Sequence, residues 1–126
     1  MSAPLRVLIL EDRATDAELM LHELRRVGYE PDWRRVETAA DYLTCLVPTL
    51  DVILADYTLP QFDALRALHF LQDRGLDTPF IVVTGSVGEE AAVECMKQGA
   101  TDYLLKDRLG RLGAAVERAL QQKHPL

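Results

Sequence analysis

Asp51-Val52-Ile53-Leu54-Ala55-Asp56, followed at once by Tyr57-Thr58-Leu59-Pro60, is the stretch on which the fold turns. A short apolar run rich in β-branched and aliphatic residues reads as a strand buried on both faces, the kind found in parallel sheets. An acid at its last position is then held at the carboxyl end of the strand, where open α/β sheets place their ligands. Asp56 is therefore the first candidate for chemistry, and the other segments matter for what they bring to it.

Outward from this strand the pattern repeats. Leu5-Arg6-Val7-Leu8-Ile9-Leu10 is a first apolar strand running into Glu11-Asp12. Thr15 and Glu18 have capping-box spacing, Ala17, Met20, Leu24 and Val27 recur at helical intervals, and Gly28 is a helix stop. Asp32–Val36 reads as a more polar edge strand. Thr38 and Asp41 open a short helix with Leu43, Leu46 and Val47 on one face. After Asp56, Asp63 is a fair N-cap for a helix carrying Leu65, Leu68 and Leu71 that ends near Gly75. Pro79–Thr84 is a fourth strand, apolar until its terminal hydroxyl. Gly85-Ser86-Val87-Gly88 leads into Glu89-Glu90 and a helix with Ala92, Cys95 and Met96 on its apolar face, ended by Gly99. Asp102–Leu105 is a fifth strand ending on Lys106, and Leu109, Leu112, Val116 and Leu120 mark a last helix.

Five strands alternating with five helices predict one doubly wound α/β domain over 1–126, with a core from about 5 to 120. Strand order is not contained in the pattern, but five such units most often follow the flavodoxin-like order 2-1-3-4-5. The 126 residues suffice for a real core, and 48 % hydrophobic with 27 % charged residues is an ordinary globular balance. A formal net charge of −6 argues against a nucleic-acid surface. No run has the length of a membrane span and the start lacks a secretion signal, so the cytoplasm is expected. Cys45 and Cys95 lack metal-pair spacing and are expected to be small buried or half-buried thiols. His22, His69 and His124 stand alone on helical stretches and are expected at the surface.

If the sheet is parallel, one edge collects Glu11-Asp12, Asp56, Thr84 and Lys106. Three acids a few ångströms apart repel unless cations or protons offset them, and one lysine leaves a deficit. Hard oxygen ligands with that deficit fit Mg²⁺, which also engages substrate phosphates. A carboxylate beside Mg²⁺ and a lysine is a credible nucleophile toward phosphorus, with Thr84 able to hydrogen-bond a phosphoryl oxygen. Singly, each residue has a plainer reading: a turn or cap aspartate, acids at a helix start, a strand threonine, a surface lysine. Their joint placement at four strand ends favours the phosphoryl-transfer site.

These residues, with Leu59-Pro60, Val83-Thr84-Gly85 and Gly99-Ala100-Thr101-Asp102-Tyr103-Leu104-Leu105-Lys106, resemble the receiver domain of two-component response regulators, of the chemotaxis-regulator-like kind, from about Leu5 to Leu120. The resemblance implies a Mg²⁺-dependent switch rather than an enzyme. It would take a phosphoryl group on Asp56 from a sensor histidine kinase or histidine phosphotransfer protein and lose it slowly by itself. It implies that Asp12 and Asp56 ligate Mg²⁺, Glu11 acts through a metal-bound water, and the backbone carbonyl of Thr58 is another ligand. Thr84 and Lys106 would contact the phosphoryl oxygens. Tyr103 would be an aromatic switch, against the alternative of a half-buried strand tyrosine. The readout would be the face of the fourth helix, fifth strand and fifth helix, acting on a downstream protein or fused output domain, with no nucleic-acid or membrane contact by this domain.

Two departures stand out. Asp107 follows the lysine where the family usually has a proline after a cis bond. A non-proline cis bond costs roughly 3–4 kcal/mol, so a trans Lys106–Asp107 bond is expected. Gln61-Phe62-Asp63-Ala64 replaces a commonly glycine-bearing loop, which should stiffen it. Three other readings compete. A haloacid-dehalogenase-type phosphatase would want an acid where Thr58 stands. A flavodoxin-like electron carrier would want a phosphate-cradling loop where Glu11-Asp12 repel phosphate. A binding module that no longer takes phosphate would usually lack one of the acids or the lysine.

Overall fold

Parallel pairing with alternating burial explains the architecture. The computed structural model describes residues 3–57, 59, 62–85 and 88–123. The expected ligand Thr58, the loop at Pro60 and Gln61, the turn at Ser86 and Val87, and His124 fall outside these residues. The chain runs β1 (Ala3–Leu10), α1 (Ala14–Arg26), β2 (Tyr29–Val36), α2 (Ala39–Cys45), β3 (Val52–Ala55), α3 (Ala64–Asp73), β4 (Phe80–Thr84), α4 (Glu89–Gln98), β5 (Asp102–Leu105), a 3-10 segment (Lys106–Arg111) and α5 (Leu112–Lys123). All pairings are parallel and the sheet order is β2-β1-β3-β4-β5, the expected flavodoxin-like order.

Successive side chains of a strand point to opposite faces, so the apolar strands feed two cores. Leu8, Leu10, Ile53, Ala55, Phe80 and Val82 pack with α2, α3 and Cys95 of α4. Val7, Ile9, Val52, Leu54, Ile81 and Val83 pack with Met20, Leu21 and Leu24 of α1 and Leu112 and Val116 of α5. With both faces covered, the central strands have no room for polar groups along their length. The acids and the lysine can sit only at the ends.

Several local expectations are corrected. The Thr15–Glu18 capping box does not start α1. The N-cap is Arg13, without a side-chain cap, because Arg13 O accepts from the amides of Asp16 and Ala17 at 3.1 Å and closes the first turn earlier. β2 reaches back to Tyr29 and pairs with β1 over its whole length. Backbone pairing extends it despite its polarity, and Pro31 is tolerated because an edge strand leaves one row of amides outside the ladder. In α2 the buried residue is Tyr42, whose hydroxyl donates to Ala67 O at 2.7 Å. Val47 lies past the helix and is exposed, since α2 stops at Cys45. Met96 is likewise exposed, leaving Cys95 as the buried contact of α4. Leu109 belongs not to the last α-helix but to the 3-10 segment, where Arg108 breaks regularity at φ −119° and ψ 33°.

Other expectations hold. Thr38 caps α2 by accepting from the Asp41 amide, and Asp63 caps α3 by accepting from the Arg66 amide. Gly99 ends α4 at φ 115°, a left-handed conformation that favours glycine. Cys45 is half-buried and Cys95 buried, and His22 and His69 are exposed. The Lys106–Asp107 bond is trans. No described helix is long and apolar enough to cross a membrane.

Gly113 marks where α5 crosses the end of α1. A Cβ there would lie 2.6 and 2.7 Å from the two Val27 methyls. Gly113→Ala should therefore destabilise by about 1–2 kcal/mol, although alanine is the better helix former by about 1 kcal/mol. Adding Val27→Ala should recover most of that loss, giving a large coupling energy in a double-mutant denaturation cycle. Additive losses would mean that the two helices do not meet there.

Candidate acidic site at the carboxyl edge of the sheet

The site is assembled by strand register. Glu11 continues from β1, with its amide bonded to Val36 O at 3.1 Å, and Asp56 follows β3, with its amide bonded to Leu10 O at 2.9 Å. The first bond ties the end of β1 to β2 and the second brings the ends of β1 and β3 level, so the side chains of Glu11 and Asp56, 45 apart in sequence, face one another. Thr84 ends β4 and is paired in register with Leu105, the residue before Lys106. Glu11, Asp12 and Asp56 each place a carboxylate oxygen within 4.8 Å of the others. Glu11 is fully buried, Asp56 nearly so, and Asp12 exposed.

Lys106 binds this group together. Its Nζ donates to Asp56 Oδ2 at 3.0 Å and to Asp16 Oδ2 at 2.7 Å. It also lies 2.7 Å from Glu11 Oε2. That last contact departs from hydrogen-bond alignment, and its short distance makes it an ion pair instead. The other Glu11 oxygen accepts from the Arg13 amide at 3.1 Å, and Arg35 donates to the Glu11 carbonyl at 3.1 Å.

Burial acts on these charges in opposite senses. Burial pushes the Glu11 carboxyl up to about 7, against the pull of Lys106 and the Arg13 amide, and neighbouring Asp12 and Asp56 raise it further. Burial alone would lower the Lys106 ammonium, but its bonds to Asp16, Glu11 and Asp56 outweigh this and hold it above its ordinary value. A buried acid that resists ionisation beside two further carboxylates is the signature of an uncompensated negative site. Its oxygen-only donor set fits a hard divalent cation such as Mg²⁺.

Thr84 is buried at the end of β4. Tyr103, paired with Val82, leans on the α3–α4 core, and its hydroxyl is buried with no hydrogen-bond partner among the described residues. Its phenol is pushed up by burial, then by Cys95 and Tyr57. It is thus half-buried. Asp16 is the member that sequence reasoning missed. Its only signal was an acid in the first turn of the helix that leaves the site, four residues after Asp12.

Comparison with known proteins gives the family and the fold. The family model described as the response regulator receiver domain matches residues 7–117. The chain is 31 % identical over 122 residues to the regulatory protein AtoC of Escherichia coli, covering 96 % of this chain and 26 % of AtoC. It is also 31 % identical over 121 residues to the response regulator protein PilR of Pseudomonas aeruginosa, covering 95 % of this chain and 27 % of PilR. The chain thus spans about a quarter of the length of these curated relatives. Among solved structures, a response regulator from Hahella chejuensis superposes with a TM-score of 0.81 at 26 % identity, covering 97 % of this chain and 99 % of that one. The receiver domain of a Luxo repressor protein from Vibrio parahaemolyticus superposes with a TM-score of 0.77 at 25 % identity, covering 95 % of each chain. With the sheet order, the acidic edge and this match over nearly its whole length, the chain belongs to the response regulator receiver domain family of two-component signalling.

Proposed function

We propose that this chain is a phosphorelay switch whose acceptor is Asp56, and that its core and its function lie in one receiver domain over 1–126. The observation that carries the reading is the setting of Asp56: nearly buried, 3.0 Å from the Lys106 ammonium, and grouped with the Glu11 and Asp12 carboxylates. An Asp56 carboxylate oxygen attacks the phosphorus of a phosphohistidine on a sensor kinase or phosphotransfer protein. The O–P bond forms as the P–N bond breaks, and the imidazole leaves with the bonding pair. Asp12, Asp56, the Thr58 carbonyl and, through a water, Glu11 would hold Mg²⁺, which would supply charge neutralisation at the phosphoryl oxygens.

The chain's own groups do the rest. Lys106 offsets the charge of the acceptor before transfer and of the phosphoryl group after it. Thr84 offers its hydroxyl from the neighbouring strand end, and its movement toward the phosphate vacates space that Tyr103 can fill. A two-state element of this kind responds only if the modification binds one state better, and the new oxygens demand donors that Thr84 and Lys106 supply. The affected surface is α4, β5 and α5, where Val93 and Met96 stand exposed. That face would act on a downstream protein or an output domain in the same polypeptide. Slow self-hydrolysis would reset the switch in a cytoplasmic setting.

Incubation with Mg²⁺ and acetyl phosphate should add one phosphoryl group to the wild type, read by intact mass, and none to Asp56→Asn or to protein in chelator. An adduct of equal size on Asp56→Asn would move the acceptor elsewhere. No adduct, together with no beryllofluoride-induced change in the spectrum around Tyr103, would favour a phosphate-independent binding module.

The raised Glu11 carboxyl sets a pH signature for metal-free protein. Between its ordinary value near 4.5 and about 7, the folded chain keeps a proton that the unfolded chain has released. Its contribution is therefore present at low pH and lost as pH rises through about 7, by about 3 kcal/mol at most. Thermal melts from pH 5 to 8 should show this decline, Glu11→Gln should flatten it, and Mg²⁺ should restore stability mainly above pH 7. A metal-free stability that climbs over that range would contradict the assignment.

A further inference from the structure

The contact of Lys106 with Asp16 has no part in the acidic trio, and it is one of the two shortest contacts the ammonium makes. An ammonium has three N–H donors. Here the ammonium donates to Asp16 at 2.7 Å and Asp56 at 3.0 Å and lies 2.7 Å from Glu11 as an ion pair. Glu11 and Asp56 belong to the set of oxygens that would face a divalent cation, while Asp16 does not. Asp16 comes from the first turn of α1, a helix buried through Ala17, Met20, Leu21 and Leu24, so its carboxylate is carried on a rigid element. Lys106, by contrast, opens a 3-10 segment that contains an irregular residue, Arg108, and no buried side chain. Left to its own segment, the lysine stem has little to fix it.

We propose that Asp16 is a positioning residue for phosphoryl transfer, holding the Lys106 ammonium over Asp56 from the α1 side. The proposal rests on Asp56 being the acceptor. When a cation draws on Glu11 and Asp56, those carboxylates are shared, and Asp16 remains the anion of the three outside the cation's oxygen set. When the O–P bond forms on Asp56, the N–H that faced Asp56 Oδ2 turns to a phosphoryl oxygen, while the N–H on Asp16 stays where it is. The lysine thus pivots on Asp16 instead of relocating. Preorganisation of this kind acts on the rate of transfer, because a charge already aimed needs no rearrangement when the phosphoryl group arrives. Arg13, the other cation near Asp16, is 4.0 Å away and largely exposed, so it competes weakly for the carboxylate.

The test compares wild type, Asp16→Asn and Asp16→Glu, all with acetyl phosphate, over a Mg²⁺ titration. Asp16→Asn keeps the shape of the side chain and its place in a partly exposed first turn. At saturating Mg²⁺ its phosphorylation rate should fall about five- to ten-fold, while the half-saturating Mg²⁺ shifts by less than about two-fold. Asp16→Glu, which restores the charge, should recover most of the rate. In the unphosphorylated protein the slowly exchanging Lys106 ammonium signal in nitrogen-15 NMR should be present in wild type and Asp16→Glu and lost in Asp16→Asn. A wild-type rate in Asp16→Asn overturns the positioning role and leaves Asp56 as acceptor. A parallel loss of Mg²⁺ affinity also overturns it, by making Asp16 part of the metal's surroundings. If wild type itself takes no phosphoryl group, the acceptor assignment fails, and the positioning role fails with it.

Discussion

One ammonium reconciles acids that the fold brings too close together. The ends of β1 and β3 and the first turn of α1 deliver Glu11, Asp56 and Asp16 to within 3.0 Å of Lys106 Nζ. Without that charge the buried Glu11 and Asp56 carboxylates would face each other uncompensated, and repulsion or protonation would follow. The lysine is a partial answer, since it leaves Glu11 hard to ionise. An arrangement held at this degree of charge imbalance responds strongly to any further cation or anion.

The parallel sheet explains why the imbalance sits where it does. Burial on both faces makes the strands apolar along their length, and the hydrogen-bonded register of β1, β3, β4 and β5 lines up their carboxyl ends. Each of those ends is also the point where the chain leaves the sheet, so a side chain there can be polar without disturbing either core. Helix placement follows from the same constraint, and α1 starts close enough to the site for Asp16 to reach it.

Much of this was legible in the sequence. Apolar runs closed by Asp56, Thr84 and Lys106 are two signals in one, marking both the strands and where they end. The sheet order needed a prior about five-unit α/β folds, since nothing in a strand states its neighbour. What remained hidden were features decided by tertiary contact. Thr15 and Glu18 have the spacing of a capping box, but a turn closed two residues earlier at Arg13. Tyr42 joins Leu43 and Leu46 on the inner side of α2, where its hydroxyl reaches Ala67 O, while Val47 is exposed. The 3-10 segment after Lys106 has no distinctive composition. Asp16 looked like any acid in a first helical turn, and only the position of the lysine, 90 residues later, distinguishes it.

The polar edge strand β2 has a consequence for assembly. It is eight residues long and pairs on one side only, so its outer row of peptide groups is a template on which a foreign strand could add. Pro31 interrupts that template, and Glu30, Asp32, Arg34 and Arg35 surround it with charge. The opposite edge, β5, offers only four residues. Growth of the sheet from one molecule into the next is therefore disfavoured at both margins, and the helical faces are left as the surfaces on which a partner can be chosen.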